Sequence, residues 1–243
     1  MQRVLDVDLD FFVEPPVHWP QWDDRCPEEG RHVLRLEEAL AFMRTRCLLN
    51  GPLPGGVAEA HDEVFWLWRD AIGSGALEPP FHVTHLDAHA DLGLGDSGWV
   101  YLMTDLLRRD VADRAEPRTG HGALNEGNFL LYALACRWLD SLEYVYGPGG
   151  GGDELVYALR DFDREADEVQ LKAISSEAAK RPLDFRGWDV LHLEPGVPYR
   201  RHEADKYQAG TGFDLIFLTR SPLYTPASAD ALFDAIRTEF ITC

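Results

Sequence analysis

The sequence predicts an α/β protein in three layers, α/β/α, with a largely parallel sheet covered by helices on both faces. Three observations carry that prediction. Apolar runs of strand length, at 3–12, 81–86, 142–146, 155–159, 169–174, 188–193 and 213–219, alternate with helical or loop segments, the pattern of a parallel sheet buried on both sides. A length of 243 residues suits one undivided α/β domain spanning 1–243. Carboxylates and histidines gather at the ends of such runs, where open α/β sheets hold their ligands.

The first run, 3–12, alternates so that Asp6, Asp8 and Asp10 fall on one face of an extended strand. Their neighbours Val4, Leu5, Val7, Leu9, Phe11 and Phe12 read as buried, and buried carboxylates require partners or a metal. Residues 13–30, rich in Pro, Trp and acids, read as an irregular loop across the mouth of a site. Trp19 and Trp22 are its wall residues or pack over a core edge. Over 32–49, Val33, Leu36, Leu40, Met43 and Cys47 recur at helical spacing, and the Pro- and Gly-rich stretch 50–56 ends that helix. His61 then stands among acids just before the aromatic helix at 64–68. It is a candidate remote metal ligand, with Glu59 or Asp62 available to orient its second ring nitrogen.

The run 81–86 leads into Asp87-Ala88-His89-Ala90-Asp91. In an extended segment Asp87, His89 and Asp91 would point the same way and converge at the strand's end. Carboxylate oxygens plus an imidazole suit Mn²⁺ or Zn²⁺. Residues 92–98 form a glycine-bearing loop that lets a substrate approach the backbone, and 99–107 resumes a helical pattern. Asn125 is the expected cap of an apolar helix at 129–139, while Asn125, Glu126 and Asn128 are also candidates to bind substrate. The glycine run 147–152 lacks a following Gly-Lys-Ser/Thr and reads as plain loop. Glu194 and Glu203 are further catalytic candidates that could hold a cationic substrate group, with salt bridges to Arg200, Arg201 or Lys206 as the structural alternative. An amphipathic helix at 226–240, with Pro226 in its first turn, closes the chain.

Composition narrows the function classes. A formal charge of −19 disfavours nucleic acid or an anionic membrane as partner and favours a cationic one. No apolar run approaches a membrane span and the start lacks a secretory h-region, so a cytoplasmic protein is expected. Cys26, Cys47, Cys136 and Cys243 are scattered without a Cys-x-x-Cys pair and read as reduced thiols. Carboxylates gathered around a divalent ion repel one another without it, so metal-free protein should be less stable than metal-loaded protein.

Taken together, Leu5-Asp6-Val7-Asp8-Leu9-Asp10-Phe11-Phe12, Ala60-His61-Asp62-Glu63-Val64, His85-Leu86-Asp87-Ala88-His89-Ala90-Asp91-Leu92, Asn125-Glu126-Gly127-Asn128-Phe129 and Arg220-Ser221-Pro222-Leu223-Tyr224-Thr225-Pro226 resemble the ureohydrolase (arginase-like) superfamily. The likeness is to an atypical branch that includes peptide arginases, which convert arginine side chains of precursor peptides to ornithine. The resemblance implies an arginase/deacetylase-like fold and two Mn²⁺ ions, with other divalent metals admissible. It matches Asp87, His89 and Asp91 to the central metal ligands, Asp6 and Asp8 to an Asp-x-Asp pair, and His61 to a lone histidine ligand. Asp10 adds a carboxylate that could replace Asp6 or Asp8. The implied chemistry is hydrolysis of an arginine guanidinium to ornithine and urea, with Asp87 and one of Asp6 or Asp8 bridging the ions and Asp91 carrying a proton to the departing amine. The substrate would be an arginine-containing peptide or a small guanidino compound. Three departures stand out: Ala58-Glu59-Ala60-His61 replaces a Gly-Gly-Asp-His, Asp10 is extra, and the Asp-x-Asp ladder comes first in the chain, implying a rearranged strand order, of which permutation is one form. The alternatives are a zinc-dependent deacetylase-like amidohydrolase, disfavoured by the lack of tandem histidines, and a non-catalytic metal-stabilised binder of cationic peptides.

Overall fold

The computed structural model describes residues 1–93, 95 and 97–242; Leu94 and Asp96 of the expected 92–98 loop, and Cys243, lie outside the described residues. In chain order the elements are β1 (Arg3–Asp8), β2 (Val13–Glu14), β3 (His32–Val33), α1 (Leu36–Thr45), β4 (Leu53–Ala58), α2 (Glu63–Ser74), β5 (Phe81–Leu86), α3 (Gly98–Thr104) and α4 (Phe129–Ala135). There follow β6 (Leu139–Tyr146), β7 (Glu168–Val169), β8 (Lys172–Ile174), α5 (Ser176–Ala179), β9 (Val190–Leu193), β10 (Val197–Glu203), β11 (Leu215–Thr219), α6 (Asp230–Phe240) and β12 (Ile241–Thr242).

Eight strands form the central sheet in the order β12-β4-β11-β1-β5-β6-β10-β7. All neighbouring pairs are parallel except β10 with β7 at one edge. Strand alternation sorts the core into two faces. Val4, Val83, Tyr144 and Phe217 pack with α2, α3 and α4 on one side, while Leu5, Val7, Ile216 and Leu218 pack with α1 and α6 on the other. The three layers expected from the sequence are present. Among the described residues no helix is long and apolar enough to cross a membrane.

Three local readings are corrected and one strand, at 197–203, is added. The stretch 50–56, expected only as a helix terminator, supplies most of β4. Its glycines depress strand propensity, yet a Cβ on Gly55 would lie 1.7 Å from the Ile216 carbonyl oxygen, so close pairing with β11 requires glycine there. The polar run 197–203 is a strand because it lies next to the sheet edge, where only one side of its pattern needs burial. Residues 155–159 form turns rather than a strand, and the buried Lys172 ammonium donates to the carbonyls of Tyr157 and Leu159, satisfying backbone that a strand would have paired. Helix α1 begins at Leu36 because His32–Val33 pairs with Val13–Glu14, which also makes the start of the 13–30 segment regular. The glycine run 147–152 is a loop as expected, and Gly150 packs where a Cβ would lie 2.6 Å from the Ala88 carbonyl oxygen.

What positions the site is the sheet's direction. The C-terminal ends of β1, β4, β5 and β11 lie along one edge, near where the chain passes from β4 on one side of β1 to β5 on the other.

Candidate metal centre

At that edge, β1 places Asp6 and Asp8 on the face shared with Val4, and β5 places His85 beside Asp6 in parallel register. Asp10 arrives differently from the strand ladder expected. The strand stops at Asp8, a single 3₁₀ turn covers Leu9–Phe12, and the Asp8 carboxylate caps it by accepting from the Asp10 amide. That turn, not alternation, brings Asp10 alongside Asp8. The Asp87 to Asp91 segment is likewise bent rather than extended. Asp87 accepts from the His89 amide at 2.7 Å, and Asp91 adopts a left-handed backbone at φ +48°, which is costly for a non-glycine residue. His61 follows β4, immediately before α2.

These side chains meet at a cavity of about 340 Å³ whose walls include Asp8, Asp10, His61, Asp87, His89 and Asp91. His61 Nδ1 lies 3.0 Å from Asp8 Oδ2, 3.0 Å from Asp87 Oδ2 and 2.9 Å from Asp91 Oδ2. His89 Nδ1 lies 3.0 Å from Asp10 Oδ2 and 3.4 Å from Asp87 Oδ1. Asp87 therefore turns one oxygen to each histidine.

The donor set fits a cation. Asp10 Oδ2, Asp87 Oδ2, Asp91 Oδ2 and His89 Nε2 are buried and make no hydrogen bond. One ring nitrogen at His61 can satisfy only one of the three carboxylate oxygens crowded about it. A divalent ion would satisfy them together, because several oxygens and an imidazole nitrogen converging on a point form the coordination set of a hard or borderline metal. Asp8–His61–Asp87, Asp10–Asp87–His89 and His85–Asp87–Asp91 are each grouped closely enough to hold a metal ion, as is the deeper trio Asp6–His61–His85.

Electrostatics point the same way. Burial, then Asp8 and Asp87, pushes the Asp10 carboxyl well above its usual range. Burial and Asp87 raise Asp91 to about 7. Burial opposes the charge on Asp87, but His61, His89 and His85 outweigh it and hold its carboxyl well below the usual range. His85 is raised from 6.5 to about 9: burial acts against its charge and is outweighed by Asp6, Asp87 and Asp91. A histidine whose folded value is raised stabilises the fold fully below pH 6.5 and ceases to do so as pH rises through about 9. Metal-free protein should thus lose melting temperature between those values, while the increment added by Mn²⁺ should grow as protons leave the ligands. Thermal melts in chelator and in Mn²⁺ check this; a metal-free melting temperature flat across that window contradicts it.

The structure distributes the other expected residues differently. Glu126 and Asn125 line the cavity, whereas Asn128 does not; it stands at the N-terminus of α4, where its side chain accepts from the Asn125 amide and donates to the Ala123 carbonyl. Asn125 is therefore not the helix cap. Its own oxygen accepts from the Gly127 amide, so both asparagines brace the turn that carries Glu126. Glu194 and Glu203 do not reach the cavity. Glu194, 3 % exposed, is held by Arg114 and Arg137 at 2.9 Å each, and Glu203 pairs at the surface with Lys206. Asp6 also lies outside the cavity wall, fully buried behind His61.

Sequence reasoning missed four contributors. His85 was signalled by stepping the Asp87, His89, Asp91 alternation back by one interval. Asp153, just after the glycine run, accepts from the Ala90 amide at 3.2 Å. Ser221, at φ +47°, donates to Asp8 Oδ2. His18 joins Trp19 and Tyr224 on the wall and packs edge-on to His89 at 5.5 Å; nothing local marks His18. Trp22 turns away, its indole donating to the Leu223 carbonyl.

No protein-family model matches the chain, and no curated protein matches it. The described cysteines, Cys26, Cys47 and Cys136, are buried free thiols.

Proposed function

We propose that the protein is a Mn²⁺-dependent hydrolase of the arginase type that converts an arginine guanidinium to ornithine and urea, acting on arginine residues of a peptide. The observation that carries this reading is the sharing of Asp87 between two ligand groups, Asp8–His61–Asp87 and Asp10–Asp87–His89, which suits a pair of ions. Asp8, Asp10, His61, Asp87, His89 and Asp91 would hold them. Bound there, the ions supply Lewis acidity and make water a competent nucleophile near neutral pH.

The remaining work falls to the chain. Glu126 is the residue placed to receive the cationic group: burial, Asp62, Asp8 and Asp91 raise its carboxyl to about 7, and an adjacent guanidinium would relieve that repulsion. This role passes to it from Glu194 and Glu203. Hydrolysis adds water oxygen to the guanidinium carbon and a proton to the substrate's own side-chain nitrogen, so the carbon–nitrogen bond breaks to urea and an amine. Asp91, on the cavity wall with its Oδ2 2.9 Å from His61 Nδ1, is suited to carry that proton. At the mouth, Trp19 is 65 % exposed beside Tyr224 and His18, an aromatic rim suited to the backbone and neighbours of a peptide.

Urea and ornithine production by Mn²⁺-loaded protein, compared between free arginine and arginine-containing peptides, tests the reading directly. Asp91→Asn should lower turnover at saturating Mn²⁺ by roughly 10²–10⁴-fold while costing little stability. A variant that keeps the wild-type rate contradicts the proton-carrying role.

A further inference from the structure

Beneath the cavity lies a second layer that does not touch it. Asp6 and His85 are both fully buried, and neither lines the wall. Parallel register sets them side by side on β1 and β5, with His85 Nδ1 at 2.8 Å from Asp6 Oδ2. The same oxygen lies 3.2 Å from His61 Nε2. On its other side, His85 Nε2 faces the His89 carbonyl at 3.1 Å. The three groups thus form a line running from the ligand loop, through His85 and Asp6, to the back of the His61 ring. The His61 and His85 rings stack at 5.3 Å, with Phe129 packed against both.

We propose that Asp6 and His85 are positioning residues for the metal centre rather than ligands of it. A neutral imidazole has one N–H and one lone pair, and whichever nitrogen donates a hydrogen bond leaves the other to bind metal. Asp6, an acceptor at His61 Nε2, draws the proton to that nitrogen. The Nδ1 lone pair is left facing Asp8, Asp87 and Asp91. His85, whose two ring nitrogens both face acceptors, donates to the Asp6 carboxylate from behind and to the His89 carbonyl as an imidazolium. Carboxylates placed this way behind a ligating histidine set both its tautomer and its ring orientation. Asp6–His61–His85 and His85–Asp87–Asp91 are each close enough together to take an ion, and Asp6 Oδ1 is buried without a partner, but Asp6 Oδ2 is already occupied by two ring nitrogens and both nitrogens of His85 already face acceptors.

The inference rests on reading the cluster as a metal centre. Titration calorimetry with Mn²⁺, paired with elemental analysis at saturation, tests both levels. Asp6→Asn and His85→Phe should each weaken Mn²⁺ binding by about 10–100-fold with the number of ions at saturation unchanged. Because both act through one line of contacts, the double variant should bind little more weakly than either single one. His85→Asn, whose amide can still reach Asp6, should restore part of the loss. Fewer ions at saturation in Asp6→Asn would make Asp6 a ligand and overturn the proposal; unchanged affinity in a folded variant would reduce the pair to packing and overturn it too. Should Asp6→Asn not fold, the His85 variants decide by the same two readouts. Wild-type protein that binds no Mn²⁺ would remove the underlying reading, and the inference with it.

Discussion

Asp87→Ala is expected to abolish stoichiometric metal binding and, with it, urea release. The side chain is the one member shared by the two ligand groups assigned to the ions, Asp8–His61–Asp87 and Asp10–Asp87–His89. Its Oδ2 meets His61 and its Oδ1 meets His89. Truncation therefore removes a donor from both ends of the cluster at once, a larger loss than the roughly 10–100-fold that follows from disturbing an outer hydrogen bond. In wild-type protein, Mn²⁺ at about 100 times its dissociation constant should raise the melting temperature by roughly 5–10 °C for each ion bound, since each then adds about 2.7 kcal/mol. The variant should show no such rise. A full metal complement in Asp87→Ala would mean that the ions sit elsewhere.

Glu194→Ala should do the opposite, destabilising the fold while leaving the metal centre intact. Arg114 is only 4 % exposed at its side chain, and besides Glu194 it donates to the carbonyls of Arg109, Leu107 and Ala135. Removing the carboxylate strands that buried guanidinium, a change that costs about 3–5 kcal/mol. Arg137, half exposed, adds little. In a domain of this size the melting temperature should fall on the order of 10 °C. Saturating Mn²⁺ stoichiometry should be unchanged. If the variant kept full stability yet lost activity, Glu194 would have to be returned to the chemistry.

The sequence made the fold class readable because burial on both faces of a parallel sheet leaves near-continuous apolar runs, as in β11. It hid β4 and β10 because each gains its place from neighbours: β4 through a backbone approach that only glycine permits, β10 through an edge position that tolerates arginine and histidine. The site divides similarly. Asp8, Asp10, His61, Asp87, His89 and Asp91 were legible as residue types at suggestive spacings, and the structure brings all six to one cavity. Their geometry was not legible. Period-two spacing suggested extended ladders, whereas a 3₁₀ turn and a left-handed Asp91 do the converging. Glu194 misled because a strand-end acid looks the same in sequence whether it faces a substrate or a buried arginine 80 residues away.

The central claim is that the cluster holds a pair of ions that hydrolyse guanidinium. The most direct test is one preparation of Mn²⁺-loaded protein, measured for metal content and for urea released from an arginine-containing peptide. The account predicts two ions per chain and urea in step with ornithine formed in the peptide. A protein carrying two ions that leaves free arginine, peptidyl arginine and related guanidino compounds unchanged would contradict it.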